Sequence, residues 1–272
     1  MTTTTEHHLR AIEAQARLSH AVCGIDGSPE AAAAASQAAR LIGDRGQLVL
    51  LAAADPWTSV TRANGDLAVA RSRVRAEARD ALLDVLLELD SPLEPETKII
   101  EARPQDMLLD EIRQSGPDIV ALGFHGAGRA RGYIVGSVAT LLLHEAPCSV
   151  LLARPAAEPS SRPRRIVVGV DGSPHSRIAL AHARAIGRTL GADVQALTAS
   201  RGRRLDLEAA HGSTTEVPHE VDTRDPVAAL IDASRTCDLL VVGSRGLTGL
   251  ATLGSVSERV AHRAACSVLV VR

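Results

Sequence analysis

The sequence predicts an α/β protein made of two open parallel sheets, each flanked by helices, and three observations predict it. The first is a repeat. Ala21-Val22-Cys23-Gly24-Ile25-Asp26-Gly27-Ser28-Pro29 returns as Val167-Val168-Gly169-Val170-Asp171-Gly172-Ser173-Pro174, and Ala146-Pro147-Cys148-Ser149-Val150-Leu151 returns as Ala265-Cys266-Ser267-Val268-Leu269. A period this long means two domains of one fold, not a solenoid of small units. The second is that short apolar runs alternate with longer helical stretches, the signature of βαβ units. The third is that the apolar runs are continuous, as in strands buried on both faces of a parallel sheet. The expected organisation is an amino-terminal arm at 1–17, a first domain at 18–153, a linker at 154–164 and a second domain at 165–272.

The first domain carries five strand signals. A strand is expected at 21–25. Ser28 then supplies a helix cap and Pro29 a first helical residue, ahead of an alanine-rich helix to 41. Gly43 and Gly46 end that helix, and a second strand follows at 48–53. Residues 66–89 carry charges on one face and Leu and Val on the other, as an amphipathic helix does. A strand at 97–101, a helix at 104–114, a strand at 118–122, a helix opening at Gly136 and a strand at 148–152 complete the domain. The linker holds Pro155, Pro159 and Pro163 with Ser160-Ser161, a loose boundary between domains.

The second domain is shorter. Asp26 and Asp171 are offset by 145 positions, Gly123 and Gly243 by only 120. Strand two stays in register at 194–198, and strand three is a weak run near 217–221. The missing piece is therefore the long helix after strand two, replaced by a polar, irregular connection at 201–215. The arm lies outside the repeat, with Leu9, Ile12, Ala16 and Leu18 at helical spacing.

Composition excludes several classes. A net charge of -2 and a pI near 6.6 argue against a nucleic-acid binder. Trp57, Phe124 and Tyr133 are the only aromatics, which leaves almost nothing for bases to stack on. No apolar run reaches the roughly 18 residues a bilayer span needs, and the Thr-rich start lacks a signal-peptide core. The expectation is a soluble, cytoplasmic protein with no membrane partner. Cys23, Cys148, Cys237 and Cys266 form no Cys-x-x-Cys pair, so they read as small packing residues. The histidines are scattered, and no metal site is expected.

The chemistry is concentrated after strand four. Gly123 ends the strand, Gly126 follows, and Gly136-Ser137-Val138 opens a helix. Residues without a Cβ let backbone approach a ligand, and a helix amino terminus offers unpaired N–H groups and a positive dipole end to phosphate. Arg129 and Arg131 lie in the loop and can neutralise charge; His125 is either a phosphate contact or a solvated loop residue. Gly243, Arg245, Gly246, Gly254, Ser255 and Val256 repeat the arrangement, with a loop two residues shorter. Asp26 and Asp171 each end strand one at the same crevice. A carboxylate there suits a ribose hydroxyl or a phosphate-bound metal, or else it is a turn residue.

In this combination the chain resembles a tandem universal stress protein. Gly123, Gly126, Gly136 and Ser137 fit the Gly-x2-Gly-x9-Gly-(Ser/Thr) pattern of the family's nucleotide-binding members, and Asp26 and Asp171 match its strand-ending aspartate. The resemblance implies Rossmann-like, five-stranded domains of the adenine nucleotide alpha hydrolase-like kind, binding ATP, with Mg²⁺ as an accompanying ion. It places adenine near Gly24, Ile25 and Asp26, with counterparts Gly169, Val170 and Asp171. It places phosphates near Gly123, His125, Gly126, Gly136, Ser137 and Val138, and in the second copy near Gly243, Arg245, Gly246, Gly254, Ser255 and Val256. The expected role is a nucleotide-responsive stress regulator acting as a homodimer, with no catalytic residue and at most slow ATP hydrolysis. The alternatives are a scaffold that binds no nucleotide and a weak ATPase. Walker-type, nucleotidyl-transferase and Gly-x-Ser-x-Gly motifs are all absent.

Overall fold

The structure, a computed structural model, describes residues 16–58, 66–125, 136–155, 162–200, 217–245 and 253–272. The chain divides into two units. One is Ser19–Ser160; the other contains Ser161–Arg272 together with residues 16–18.

The first unit runs β1 (His20–Ile25), α1 (Pro29–Ile42), β2 (Gln47–Ala53), a 3-10 turn (Pro56–Thr58), α2 (Leu67–Glu88), β3 (Glu96–Ile100), α3 (Pro104–Ser115), β4 (Ile119–Gly123), α4 (Ser137–Glu145) and β5 (Ser149–Ala153). All of its strand pairs are parallel, in the spatial order β3-β2-β1-β4-β5. The order reverses between β1 and β4. At such a switch point the connections leave in opposite directions and open a crevice at the carboxyl ends of the strands.

Central strands are largely apolar. Val22, Cys23, Leu50, Leu51, Ile119, Val120 and Leu151 are all buried. The outer strand β3, Glu-Thr-Lys-Ile-Ile, is partly exposed along its length. Helix α1 lies close to the sheet because its inner face is Ala31, Ala34, Ala35, Ala38 and Ala39. Its start is set by Ser28, whose Oγ accepts the Ala31 N–H at 3.1 Å.

The second unit repeats the plan with β6 (Arg165–Gly169), α5 (Pro174–Leu190), β7 (Asp193–Ala199), β8 (His219–Asp222), α6 (Pro226–Ala233), β9 (Leu239–Gly243), α7 (Ser255–Arg263) and β10 (Ser267–Val271). The spatial order is β8-β7-β6-β9-β10, again parallel. The weak third strand begins at His219, two residues later than its apolar signal suggested, because Pro218 precedes it and an outer strand needs little apolar character. The polar connection expected at 201–215 lies outside the described residues, as do Leu9 and Ile12 of the arm. Ala16, expected to lie in an arm apart from the repeats, is buried against Ala181 and Ala185 of α5. Among the described residues no helix is long and apolar enough to cross a membrane.

One device ties β1 to β4 and recurs. The carboxylate of Asp118, just ahead of β4, accepts the Ser19 and His20 N–H groups at 2.7 and 3.0 Å and the Ser19 hydroxyl at 2.9 Å. Asp238, just ahead of β9, accepts the Arg164 and Arg165 N–H groups at 2.7 and 2.8 Å. Each aspartate satisfies amides at the start of a strand that would otherwise lack a partner.

Candidate functional site

The crevice wall begins at the end of β1. Ile25 is buried, and Asp26 is exposed at the rim. Asp26 Oδ1 accepts the Ser28 N–H at 3.0 Å and the Ser28 hydroxyl at 2.6 Å, so it folds the turn that delivers the helix cap. Gly27 sits inside that turn at φ 78°, which favours glycine. The second unit repeats the arrangement. Asp171 Oδ1 accepts the Ser173 N–H at 3.0 Å, Gly172 has φ 82°, and Ser173 Oγ caps α5 by accepting the Ser176 N–H at 3.1 Å. The turn role of both aspartates is thus visible, and Asp26 is exposed to solvent beside it.

The glycines ending the strands serve close packing. A Cβ on Gly24 would lie 2.7 Å from Leu122 Cδ2. One on Gly123 would lie 2.7 Å from Glu30 Cβ and 2.9 Å from the Ala31 nitrogen, so the first turn of α1 sits directly on the end of β4. Gly243 meets the His175 backbone in the same way, at 2.8 Å. At Gly123 and Gly243 the approach permitted is that of a helix backbone.

The loop after β4 is pinned at both ends. Phe124 is buried; its N–H donates to Ala153 at 2.9 Å, and its carbonyl accepts the Gly136 N–H at 3.2 Å. His125 meets the Phe124 ring edge-on, and the Arg154 guanidinium lies 3.3 Å from that ring's centroid, a cation–π contact. In the second unit the Ser244 N–H donates to Val271 at 2.8 Å, and the Ser244 carbonyl accepts the Gly254 N–H at 2.6 Å. The two-residue shortening therefore falls between matching anchor points and leaves the start of the following helix in place. Gly126, Arg129, Arg131 and Gly246 lie outside the described residues.

Helix α4 begins at Ser137 with Gly136 as its cap residue, and no side chain caps its amides. Helix α7, behind Gly254, is the same. By contrast α1, α2, α5 and α6 are capped by Ser28, Asp66, Ser173 and Asp225. Helix α3, entered from Arg103, has no side-chain cap either. Uncapped first-turn N–H groups at the end of a parallel strand can take an anion. Ser137 and Ser255 are exposed beside them, and Val138 and Val256 are half-buried.

The units differ in two ways that the repeat motifs did not reveal. The first turn of α4 has no acidic residue, whereas that of α7 carries Glu258. And Thr198 in β7, at the position of Ala52, is buried and donates to the Val170 carbonyl at 2.8 Å while lying 2.8 Å from His219 Nε2. The Val170 carbonyl at the second crevice is thus already engaged. Comparing the two repeats residue by residue is the one sequence signal that exposes either difference. No group of three or more His, Cys, Asp or Glu side chains is clustered as a metal site among the described residues.

A sequence model of the universal stress protein family matches residues 18–154 and 199–272. The chain belongs to the universal stress protein family. The match to two segments agrees with a tandem member. The universal stress protein Rv2623 of Mycobacterium tuberculosis is 30% identical across 92% of this chain and 95% of its own. A universal stress protein of Mycolicibacterium smegmatis is 30% identical across 72% of this chain and 74% of its own. Among solved structures, a universal stress protein from Archaeoglobus fulgidus superposes with a TM-score of 0.71 at 18% identity, covering 93% of this chain and 96% of that one, which establishes a shared fold.

Proposed function

We propose that the first unit binds an adenine nucleotide, ATP, at the switch point between β1 and β4, and that the protein works as a nucleotide-responsive stress regulator. The observation that carries this reading is the α4 amino terminus. It is uncapped, carries no acid in its first turn, and lies behind the Gly123, Gly126, Gly136-Ser137 pattern. In this reading the α4 amides and the Ser137 hydroxyl take the phosphates, with Arg129 and His125 beside them. The segment Gly24, Ile25 and Asp26 faces the nucleoside, and Asp26 contacts a ribose hydroxyl at the crevice rim. Mg²⁺ accompanies the phosphates, held mainly by nucleotide and water.

The second unit is the weaker site. In this reading Glu258, in the first turn of α7, disfavours phosphate there, and Thr198 takes up the Val170 carbonyl. Turnover in this reading is at most slow. A homodimer in the cytoplasm completes the proposal.

Native mass spectrometry of the purified protein, before and after incubation with ATP and Mg²⁺, tests it. The expected result is one bound nucleotide per chain once ATP saturates the first site. A chain that stays nucleotide-free at millimolar ATP would overturn the reading and leave a scaffold role.

A further inference from the structure

We infer that Cys237 and Cys266 form a reversible, oxidant-driven disulfide within the second unit, a modification site separate from the nucleotide crevice. The two Sγ atoms lie 3.6 Å apart although 29 residues separate them in sequence. Cys237 directly precedes the Asp238 that anchors the start of β9, and Cys266 directly precedes β10. These strands are parallel neighbours, with Ser267 beside Leu239. The cysteines are one residue out of that register, and it is the Sγ–Sγ separation that brings them within reach of a disulfide after a small side-chain rotation. Both cysteines therefore sit at the amino-terminal ends of their strands, opposite the carboxyl-end crevice.

The surroundings suit thiol chemistry. Cys237 is 7% exposed, whereas Cys266 is only partly buried, so a small oxidant reaches the pair from the Cys266 side. The hydrogen bond from Cys266 draws the Cys237 thiol toward ionisation, against the opposing effect of burial. The hydrogen bond to Cys237 and burial hold Cys266 in its protonated form. A thiol drawn toward ionisation beside a protonated thiol is the arrangement in which one sulfur attacks and the other resolves.

With a peroxide as oxidant the atoms balance. A thiolate of the pair attacks the O–O bond, forming a sulfenic acid and releasing hydroxide, which takes up the proton lost from that thiol. The second sulfur attacks the sulfenic sulfur and loses its own proton, and the sulfenic oxygen leaves as water. Two thiols and one peroxide thus give one disulfide and two waters.

The chain contains its own controls. Cys148 matches Cys266, but Pro117 stands at the place of Cys237, since Asp118 and Asp238 perform the same anchoring task. Cys23 lies buried in β1, and burial pushes its thiol far up, so it is inert.

The full-length, fully reduced protein is treated with a few equivalents of hydrogen peroxide, alkylated under denaturing conditions, and digested for peptide mass spectrometry. The expected result is a peptide joining Cys237 to Cys266, lighter by two hydrogens, that dithiothreitol reverses, while Cys23 and Cys148 remain alkylated. Cys237→Ser and Cys266→Ser should each abolish the product, and Cys148→Ser should leave it unchanged. Thermal unfolding of the wild type should shift upward on oxidation and return on reduction. If both thiols stay alkylatable, if the bridge links other cysteines or two chains, or if oxidation proceeds to sulfinate without a bridge, the inference fails. The wild-type measurement decides this without relying on any variant folding.

Discussion

Single residues carry most of the local logic, and Gly123 shows how. Its hydrogen faces the first turn of α1, with backbone atoms 2.9 Å from where a Cβ would stand. Backbone cannot swing aside as the end of a side chain can. Gly123→Ala should therefore destabilise the first unit by about 1–3 kcal/mol, through overpacking. Chemical denaturation of the variant checks this, and Gly24→Ala should cost less because its nearest obstacle is a leucine methyl group. Asp118 works by charge. Burial alone would raise its pKa, but the Ser19 amide and hydroxyl and the His20 amide outweigh that and hold it below the usual carboxylate value. With the folded value lower than the unfolded one, its stabilising effect is present above pH ~4 and is lost as pH falls through the folded value. Asp118→Asn should cost about 1 kcal/mol at pH 7 and progressively less as pH falls below ~4, read from denaturation midpoints across that range.

At the scale of elements, the decisive contrast is between helices that are capped and helices that are not. Ser28 and Ser173 close the amino termini of α1 and α5, while α4 and α7 begin at glycine with no side-chain cap. Ser137→Asp separates a structural from a binding role for α4. A carboxylate in the first turn favours the helix dipole and should leave stability unchanged or slightly raised, yet it repels phosphate. ATP affinity should fall by about tenfold or more, a loss of roughly 1.4 kcal/mol or greater. Ser255→Asp should change it little, because Glu258 already occupies the first turn of α7. Calorimetric titration of both variants makes the comparison.

For the whole molecule, the duplicated fold predicts unequal use of its two crevices. In hydrogen exchange with saturating ATP, protection should rise in peptides covering 20–28 and 136–142 and remain unchanged in the matching peptides 165–173 and 254–260. Equal protection in both sets would mean that Glu258 and Thr198 do not disable the second site.

Much of this was legible from order along the chain. The strands and the described helices follow from period, apolar runs and cap residues, because those are local properties. Ser28-Pro29 marks the start of α1 whatever surrounds it. The sequence alone also carries the family pattern, from Gly123 to Ser137. Other features depend on residues distant in sequence meeting in space. Gly123 reads as a ligand-side glycine until α1 is seen lying on it. Thr198 is an ordinary strand residue until its hydroxyl is found on the Val170 carbonyl. Cys237 and Cys266 match no motif, and only the parallel pairing of β9 with β10 brings their sulfurs together. Tertiary structure decided these because packing distance and hydrogen-bond partnership are set by the crossover of a parallel sheet, which joins segments that sequence keeps apart.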